Sequence, residues 1–415
     1  MTDGHHDVVV VGGGPGGAAA AYWCGRAGLD TVVVEKFAFP RDKVCGDGLT
    51  PRAVLQLGDM GLGDWLATKH PNRGLRTQAH GITLELPWPD HSRFPSTGYV
   101  VRRTELDEVV TRHAAAAGAT LLDATEATAP ILSDGLVRGV TVVDKASGEA
   151  RDLHARYVVL AEGANARIGR ALGAVRNRAY PMGLAIRGYY ASPLSRDPWI
   201  ESALDVRDRS GAAMPGYGWV FPLGDGTVNV GIGLLSTFRD YKSANTNHMM
   251  AEWLRTAPAH WGLDPDDPVG EVKGGRLPMA GSIEPKVGPN WVAIGDAAGF
   301  INPFNGEGID YAYETGRLAA ELIAEAIATG DGLALARYPG LLDAEYGLYF
   351  KVARLFMSLM GNPALLRELT RVGMHSKSLM EWVLAIMANL LEPDEIGPAE
   401  AVYKVVSTMA RAVPA

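Results

Sequence analysis

The stretch DVVVVGGGPGGAAAAYWCGRAGLDTVVVE, residues 7–35, decides the fold. Val8 to Val11 read as a strand buried on both faces, as in a parallel sheet. Gly12, Gly14 and Gly17 follow as G-x-G-x-x-G, with Pro15 and Gly16 inside the turn. Ala18–Ala27 suits a helix that Gly28 ends. Thr31–Val34 forms a second strand that closes on Glu35. Gly12 permits the tight turn, Gly14 lets a pyrophosphate approach the backbone, and Gly17 lets helix and strand pack closely. The helix N-terminus offers free N–H groups and a positive dipole end to phosphates. Glu35, roughly 20 residues on, can accept hydrogen bonds from ribose hydroxyls. Its charge also disfavours a 2′-phosphate there. Together these features predict a Rossmann unit for a dinucleotide, with FAD and NAD both open on this motif alone.

The discriminating segment is WVAIGDAAGFINPFNGEGID, residues 291–310. Trp291–Ile294 reads as a strand, and Asp296 stands at its C-terminal end, where a carboxylate can bind the ribityl chain of a flavin. Gly306 and Gly308 precede a helix expected from Ile309 to Thr329. The N-terminal N–H groups of that helix can face the N1–C2=O edge of the flavin and favour its reduced, anionic form. The two segments together select non-covalent FAD.

At 415 residues the chain can build two packed cores. A net charge of −8 argues against nucleic acid as a partner, because phosphate binding needs a basic surface. The two cysteines, Cys24 and Cys45, form no C-x-x-C pair, so neither a disulfide framework nor a metal site is expected. Such usage fits a reducing cytoplasm. Val8 to Val11 is too short for a signal peptide, and no run of roughly 18 apolar residues predicts a membrane span.

The apolar alternation in 74–95 and 176–271 predicts a β-sheet substrate domain inserted between flavin-binding segments 1–73, 96–175 and 272–335. Tyr217, Trp219 and Phe221 alternate, so their side chains share one face. That face is either a half-buried sheet surface or an aromatic wall over the substrate. Residues 336–415 read as apolar, methionine-rich helices. They either pack on the body or cover a lipid tunnel and make a peripheral contact with the inner face of the cell membrane. The oligomeric state is left open.

GGGPGG (12–17) and GDAAGFINPFNGEGID (295–310) resemble the flavoprotein hydroxylase superfamily, whose FAD domain has the glutathione-reductase-like fold. RDKVCGDGLTPRAV (41–54) and PGYGWVFPLGDGTVNVGIG (215–233) resemble the geranylgeranyl reductase family, and within it the actinobacterial menaquinone reductases. The similarity runs over roughly residues 5–335. AEGANARIGR (161–170) resembles the superfamily's D-G-x-x-S-x-x-R, with Glu162 for Asp, Ala166 for Ser and Gly169 for Arg.

The resemblance implies further FAD contacts. Arg103 would reach the pyrophosphate region, with Asp107 orienting its helix. Cys45, Gly46, Asp47 and Gly48 would line the flavin ring. The backbone of Ala127 would meet the adenine, and Lys36 and Arg41 would complete the set beside Glu35. The implied activity is saturation of an isoprenoid double bond, in the tail of menaquinone, with NAD(P)H as electron donor. Geranylgeranyl diphosphate or lipid reduction and aromatic hydroxylation are the alternatives on this fold. The proton could come from Cys45, Asp47 or a held water. A diphosphate substrate would need basic residues at the pocket mouth, for which Arg73, Arg76 and Arg187 are candidates.

Overall fold

The computed structural model describes all residues except 1–4, 212, 213, 215, 239, 240, 242, 243, 361, 392–396 and 413–415. Side chains 359, 360, 363, 364 and 412 are likewise outside the description. The first sheet grows around His5–Val11, which pairs in parallel with Thr31–Val34 on one side and Ala150–Leu160 on the other. Thr120–Leu122 extends one edge, and Leu136–Asp144 with Thr125–Ser133 the other. Trp291–Ala293 adds in parallel to Ala150–Leu160, so the two glycine-bearing segments meet on one sheet. Val8, Val9 and Val10 are fully buried, as the unbroken valine run requires.

The first helix spans Pro15–Arg26, three residues earlier at its start than the alanine run suggests. Proline is at home in a first turn, where its missing N–H had no partner to lose. The long helix Ile309–Thr329 has the bounds read from the sequence. It packs on the first helix through two glycines: a Cβ on Gly316 would lie 2.5 Å from the carbonyl oxygen of Gly16.

The second sheet runs in the order Lys273–Pro278, Met182–Ala191, Thr227–Leu235, Tyr217–Pro222, Ile200–Ala203, Gly74–Ala79 and Ile82–Pro87. All neighbours are antiparallel except Ile200–Ala203 with Gly74–Ala79. Lys273–Pro278, grouped by sequence with the flavin-binding segments, pairs instead with Met182–Arg187 and belongs to this sheet.

The C-terminal helices Leu348–Met360, Pro363–Gly373, Lys377–Met387 and Pro398–Ala412 pack on the body. Met374, Met380 and Leu384 share a buried cluster with Leu86, Trp88 and Phe94. The last helix differs: Val402, Val405, Val406 and Met409, spaced to share one helical face, are all exposed. Among the described residues no helix is long and apolar enough to cross a membrane.

Candidate active site

The glycine turn is built for close approach. Gly12 takes φ +109°, and a Cβ there would lie 2.4 Å from the carbonyl oxygen of Ala161. At Gly17 a Cβ would lie 1.8 Å from the carbonyl oxygen of Gly12. Gly14 is different in kind: a Cβ there would meet nothing nearer than an Arg41 Nη2 at 3.8 Å. Its smallness therefore serves no packing within the chain and leaves room in front of the helix. No side chain caps the N-terminus of that helix. The turn is held from behind by Thr111, whose hydroxyl donates to the carbonyl of Gly13 at 2.9 Å.

Glu35 is buried and accepts from the N–H of Gly13 (2.9 Å) and of Phe37 (3.1 Å). Arg41 stands 3.2 Å from Glu35 and donates to Asp107 at 2.7 Å. Arg103 donates to the same Asp107 through both Nε and Nη2, each at 2.7 Å. Asp107 thus holds two guanidinium groups beside the glycine turn, the fixed donor geometry suited to a pyrophosphate. Lys36 lies 3.2 Å from Glu126, next in chain to Ala127, and Thr125 donates its N–H to the carbonyl of Glu35. Ala127 and Lys36 are thereby gathered beside Glu35 at the end of the second strand.

On the other side, Asp296 sits in the short turn Gly295–Ala298 without capping it. Its carboxylate lies 3.8 Å from Lys43. A Cβ on Gly308 would come within 3.5 Å of Asp296 Oδ1, and one on Gly306 within 3.5 Å of the Tyr217 hydroxyl. Gly308 begins the long helix, again with no side-chain cap, and Ile309 is its first residue. Two open helix N-termini and a carboxylate that caps neither therefore face the same region, and these residues fit FAD.

Cys45–Gly48 and the aromatic row come together. Tyr217, Trp219 and Phe221 form a continuous band, with ring centroids 5.9 and 6.3 Å apart. A Cβ on Gly46 would lie 3.1 Å from the Phe221 ring, and one on Gly48 3.2 Å from it. The hydroxyl of Tyr217 donates to the carbonyl of Asn305 at 2.6 Å, which ties the row to the Gly306–Gly308 loop. The Trp219 indole N–H donates to Asn229 at 3.0 Å, and its ring lies over Gly231, where a Cβ would be 2.1 Å away. Asn229 in turn donates to the carbonyl of Cys45 and to Asp47, each at 2.9 Å.

Asp47 is fully buried with φ +66°. Oδ1 accepts from the N–H of Arg103 at 3.2 Å, and Oδ2 from Tyr189 and Asn229. Burial pushes its carboxyl above the usual range despite these donors. With both oxygens engaged, Asp47 is placed as a tie between strands and not as a proton source open to the cleft. Cys45 is partly exposed, and its Sγ accepts from the N–H of Asp47 at 3.4 Å. Burial raises its thiol pKa, against the pull of Arg103.

The FAD binding domain family matches residues 5–217. The menaquinone reductase of Mycolicibacterium smegmatis is 42% identical over 379 residues, 90% of this chain and 89% of that one. The digeranylgeranylglycerophospholipid reductase 2 of Methanosphaera stadtmanae is 31% identical, with 78% of this chain and 79% of that one covered. The chain belongs to the geranylgeranyl reductase family. It is an FAD-dependent oxidoreductase with the flavoprotein hydroxylase fold. The solved geranylgeranyl bacteriochlorophyll reductase-like protein of Thermoplasma acidophilum shares that fold over 97% of this chain and 99% of its own, with TM-score 0.77 and 22% identity.

Against the family's motifs, Glu162 caps the short helix Arg167–Ala171: its carboxylate accepts from the N–H groups of Arg167, Ile168 and Gly169 at 2.7, 3.0 and 3.1 Å. Of the three basic residues considered for a diphosphate, Arg187 is buried and paired with Asp42, and Arg76 is paired with Glu85 and Asp197, whereas Arg73 is exposed. Sequence reasoning missed a buried group behind the Gly306–Gly308 loop: Arg52 with Glu307, Asp310 and Glu314. Only part of its signal was present: Asp310 and Glu314, four apart, share one face of the long helix, whereas Arg52 comes from a distant segment.

Proposed function

We propose that this chain saturates one double bond in the isoprenoid tail of menaquinone. The observation that carries the reading is the aromatic band Tyr217–Trp219–Phe221 set against Cys45–Gly48, the segment expected beside the flavin ring. The identity with a menaquinone reductase over nine-tenths of the chain supports it. Reduced FAD supplies a hydride. A trisubstituted alkene is electron-rich, so a proton must lead or accompany that hydride, and positive character develops on the tertiary carbon. The π-faces of the aromatic band stabilise such a charge. The same rings exclude water and hold the apolar chain in place.

The pairing of Arg76 and Arg187 with acids favours a neutral quinone over a diphosphate. NAD(P)H is the electron donor we propose, received without a second dinucleotide fingerprint. We further propose that the exposed stripe of the last helix meets the bilayer that holds the substrate.

The test is the lipid. Cells expressing the protein should contain menaquinone two mass units heavier after reoxidation, with fragmentation placing the saturated unit in the tail. Geranylgeranyl diphosphate is offered in parallel. Saturation of the diphosphate alone would overturn the substrate and keep the chemistry. Flavin turnover that needs oxygen and an aromatic compound would overturn both.

A further inference from the structure

The segment Asp42–Cys45 is fastened to the second sheet residue by residue. Asp42 pairs with Arg187, and with Lys273 at 3.1 Å. The carbonyl of Lys43 accepts from Arg187 at 3.3 Å. Val44 packs where Gly275 has no side chain, since a Cβ there would lie 3.3 Å from it. The carbonyl of Cys45 accepts from Asn229. The side chain of Lys43 reaches the other way, to the first sheet. Its ammonium lies 3.8 Å from Asp296, beyond hydrogen-bond length. A Cβ on Gly163 would lie 3.3 Å from the same nitrogen. Gly163 follows the strand Ala150–Leu160 and Asp296 follows Trp291–Ala293, so Lys43 meets the first sheet where these two parallel strands end. The N-terminus of the long helix adjoins, with a Cβ at Gly308 placed 3.5 Å from Asp296 Oδ1.

The other acids around the glycine turn are answered by donors of the chain itself. Glu35 accepts from Gly13 and Phe37 and pairs with Arg41. Asp107 holds Arg41 and Arg103, and Glu162 accepts from three backbone N–H groups. Asp296 differs: among the described residues its ion-pair partner is Lys43, at a distance that leaves both charges unsaturated. The phosphate charges of FAD are met at the other end, by the first helix, Arg41 and Arg103. On reduction the flavin gains a further negative charge, and Asp296 at the ribityl chain would oppose it. We propose that Lys43 sets the preference of this site for reduced FAD. Its ammonium offsets Asp296, and with the open N-terminus of the long helix it leaves the flavin end of the site positive. Reduced FAD is therefore held more tightly than oxidised FAD, which keeps a non-covalent cofactor in place between the half-reaction that reduces it and the one that oxidises it. This rests on Asp296 meeting the ribityl chain and not on the identity of the substrate. Charges a few ångströms apart near a protein surface shift an equilibrium by about tenfold or more, and the 38% exposure of the Lys43 side chain screens that toward its lower end.

The experiment is a redox titration of FAD-loaded wild type, Lys43→Met and Lys43→Arg, reduced stepwise without oxygen against a reference dye. Lys43→Met should favour reduced over oxidised FAD about tenfold less than the wild type does, which lowers the two-electron midpoint by about 30 mV. Lys43→Arg keeps the charge and should stay at the wild-type midpoint. The thermal midpoint of the FAD-free protein should be the same in Lys43→Met and wild type, because one long, partly exposed ion pair adds little to stability. Lys43→Gln carries the test if the methionine variant does not fold or holds no FAD. The titration needs no prenyl substrate, so its outcome is independent of the substrate reading. A wild-type midpoint in the uncharged variant would overturn the proposal. Equal loss of oxidised and reduced FAD, complete loss of both included, would overturn it too, since that describes a residue needed for binding in either state.

Discussion

The hydroxyl of Tyr189 donates to Oδ2 of Asp47 at 2.7 Å, joining the second sheet to the segment expected to line the flavin. Asn229, on the neighbouring strand, donates to the same oxygen. Asn229 also accepts from the Trp219 indole, so the Asp47 carboxyl is tied through it to the aromatic band against which Gly46 packs. One carboxyl group thus joins two strands of the second sheet to the helix that begins at Arg103.

Removing that group should be felt as stability. Asp47→Ala leaves the Tyr189 hydroxyl and an Asn229 N–H buried without this acceptor, at a cost of about 1–3 kcal/mol. The denaturant midpoint of the FAD-free protein measures it. An unchanged midpoint would show that the tie bears no strain.

Gly14→Val should give a folded, colourless protein. The nearest protein atom to a Cβ at Gly14 is 3.8 Å away, so the added side chain obstructs only what lies in front of the helix. Flavin absorbance after reconstitution and the thermal midpoint separate the two effects. Loss of both colour and fold would contradict the argument. Asp296→Ala should weaken FAD binding while leaving the fold intact, because the carboxylate caps nothing.

Cys45→Ala should lower prenyl reduction by less than roughly tenfold. A general acid contributes about 100-fold or more, whereas a wall residue contributes contact. A loss of that larger size would make the thiol the proton source.

Replacing Val405 and Met409 with glutamate should reduce co-sedimentation with lipid vesicles and leave FAD content unchanged. Both side chains are exposed, at 57% and 68%, on the outer face of the last helix. Equal sedimentation of variant and wild type would remove that helix from the membrane contact.

Much of this was legible along the chain. The valine run, the spaced glycines and Glu35 are local signals, and strand, turn and helix appear where they point. The long helix is equally legible, since Gly308 opens it and Gly330 at φ +72° ends it. Lys273–Pro278 was not, because KGGRLP has little apolar alternation and its partner Met182–Arg187 lies far away in sequence. The carboxyl cluster failed for a related reason. Arg52 reaches Asp310 and Glu314 from the helix Pro51–Asp59, distant in sequence, so no local pattern announces the pairing.

The indole of Trp219 rests where Gly231 has no side chain. The width of the cleft is therefore set partly by an absence on the strand behind it. A single methyl group at 231 would push the ring forward into the slot proposed for a prenyl unit, narrowing it without touching any residue that faces it. On that proposal, substrate girth is gauged from the rear, by an atom the chain omits.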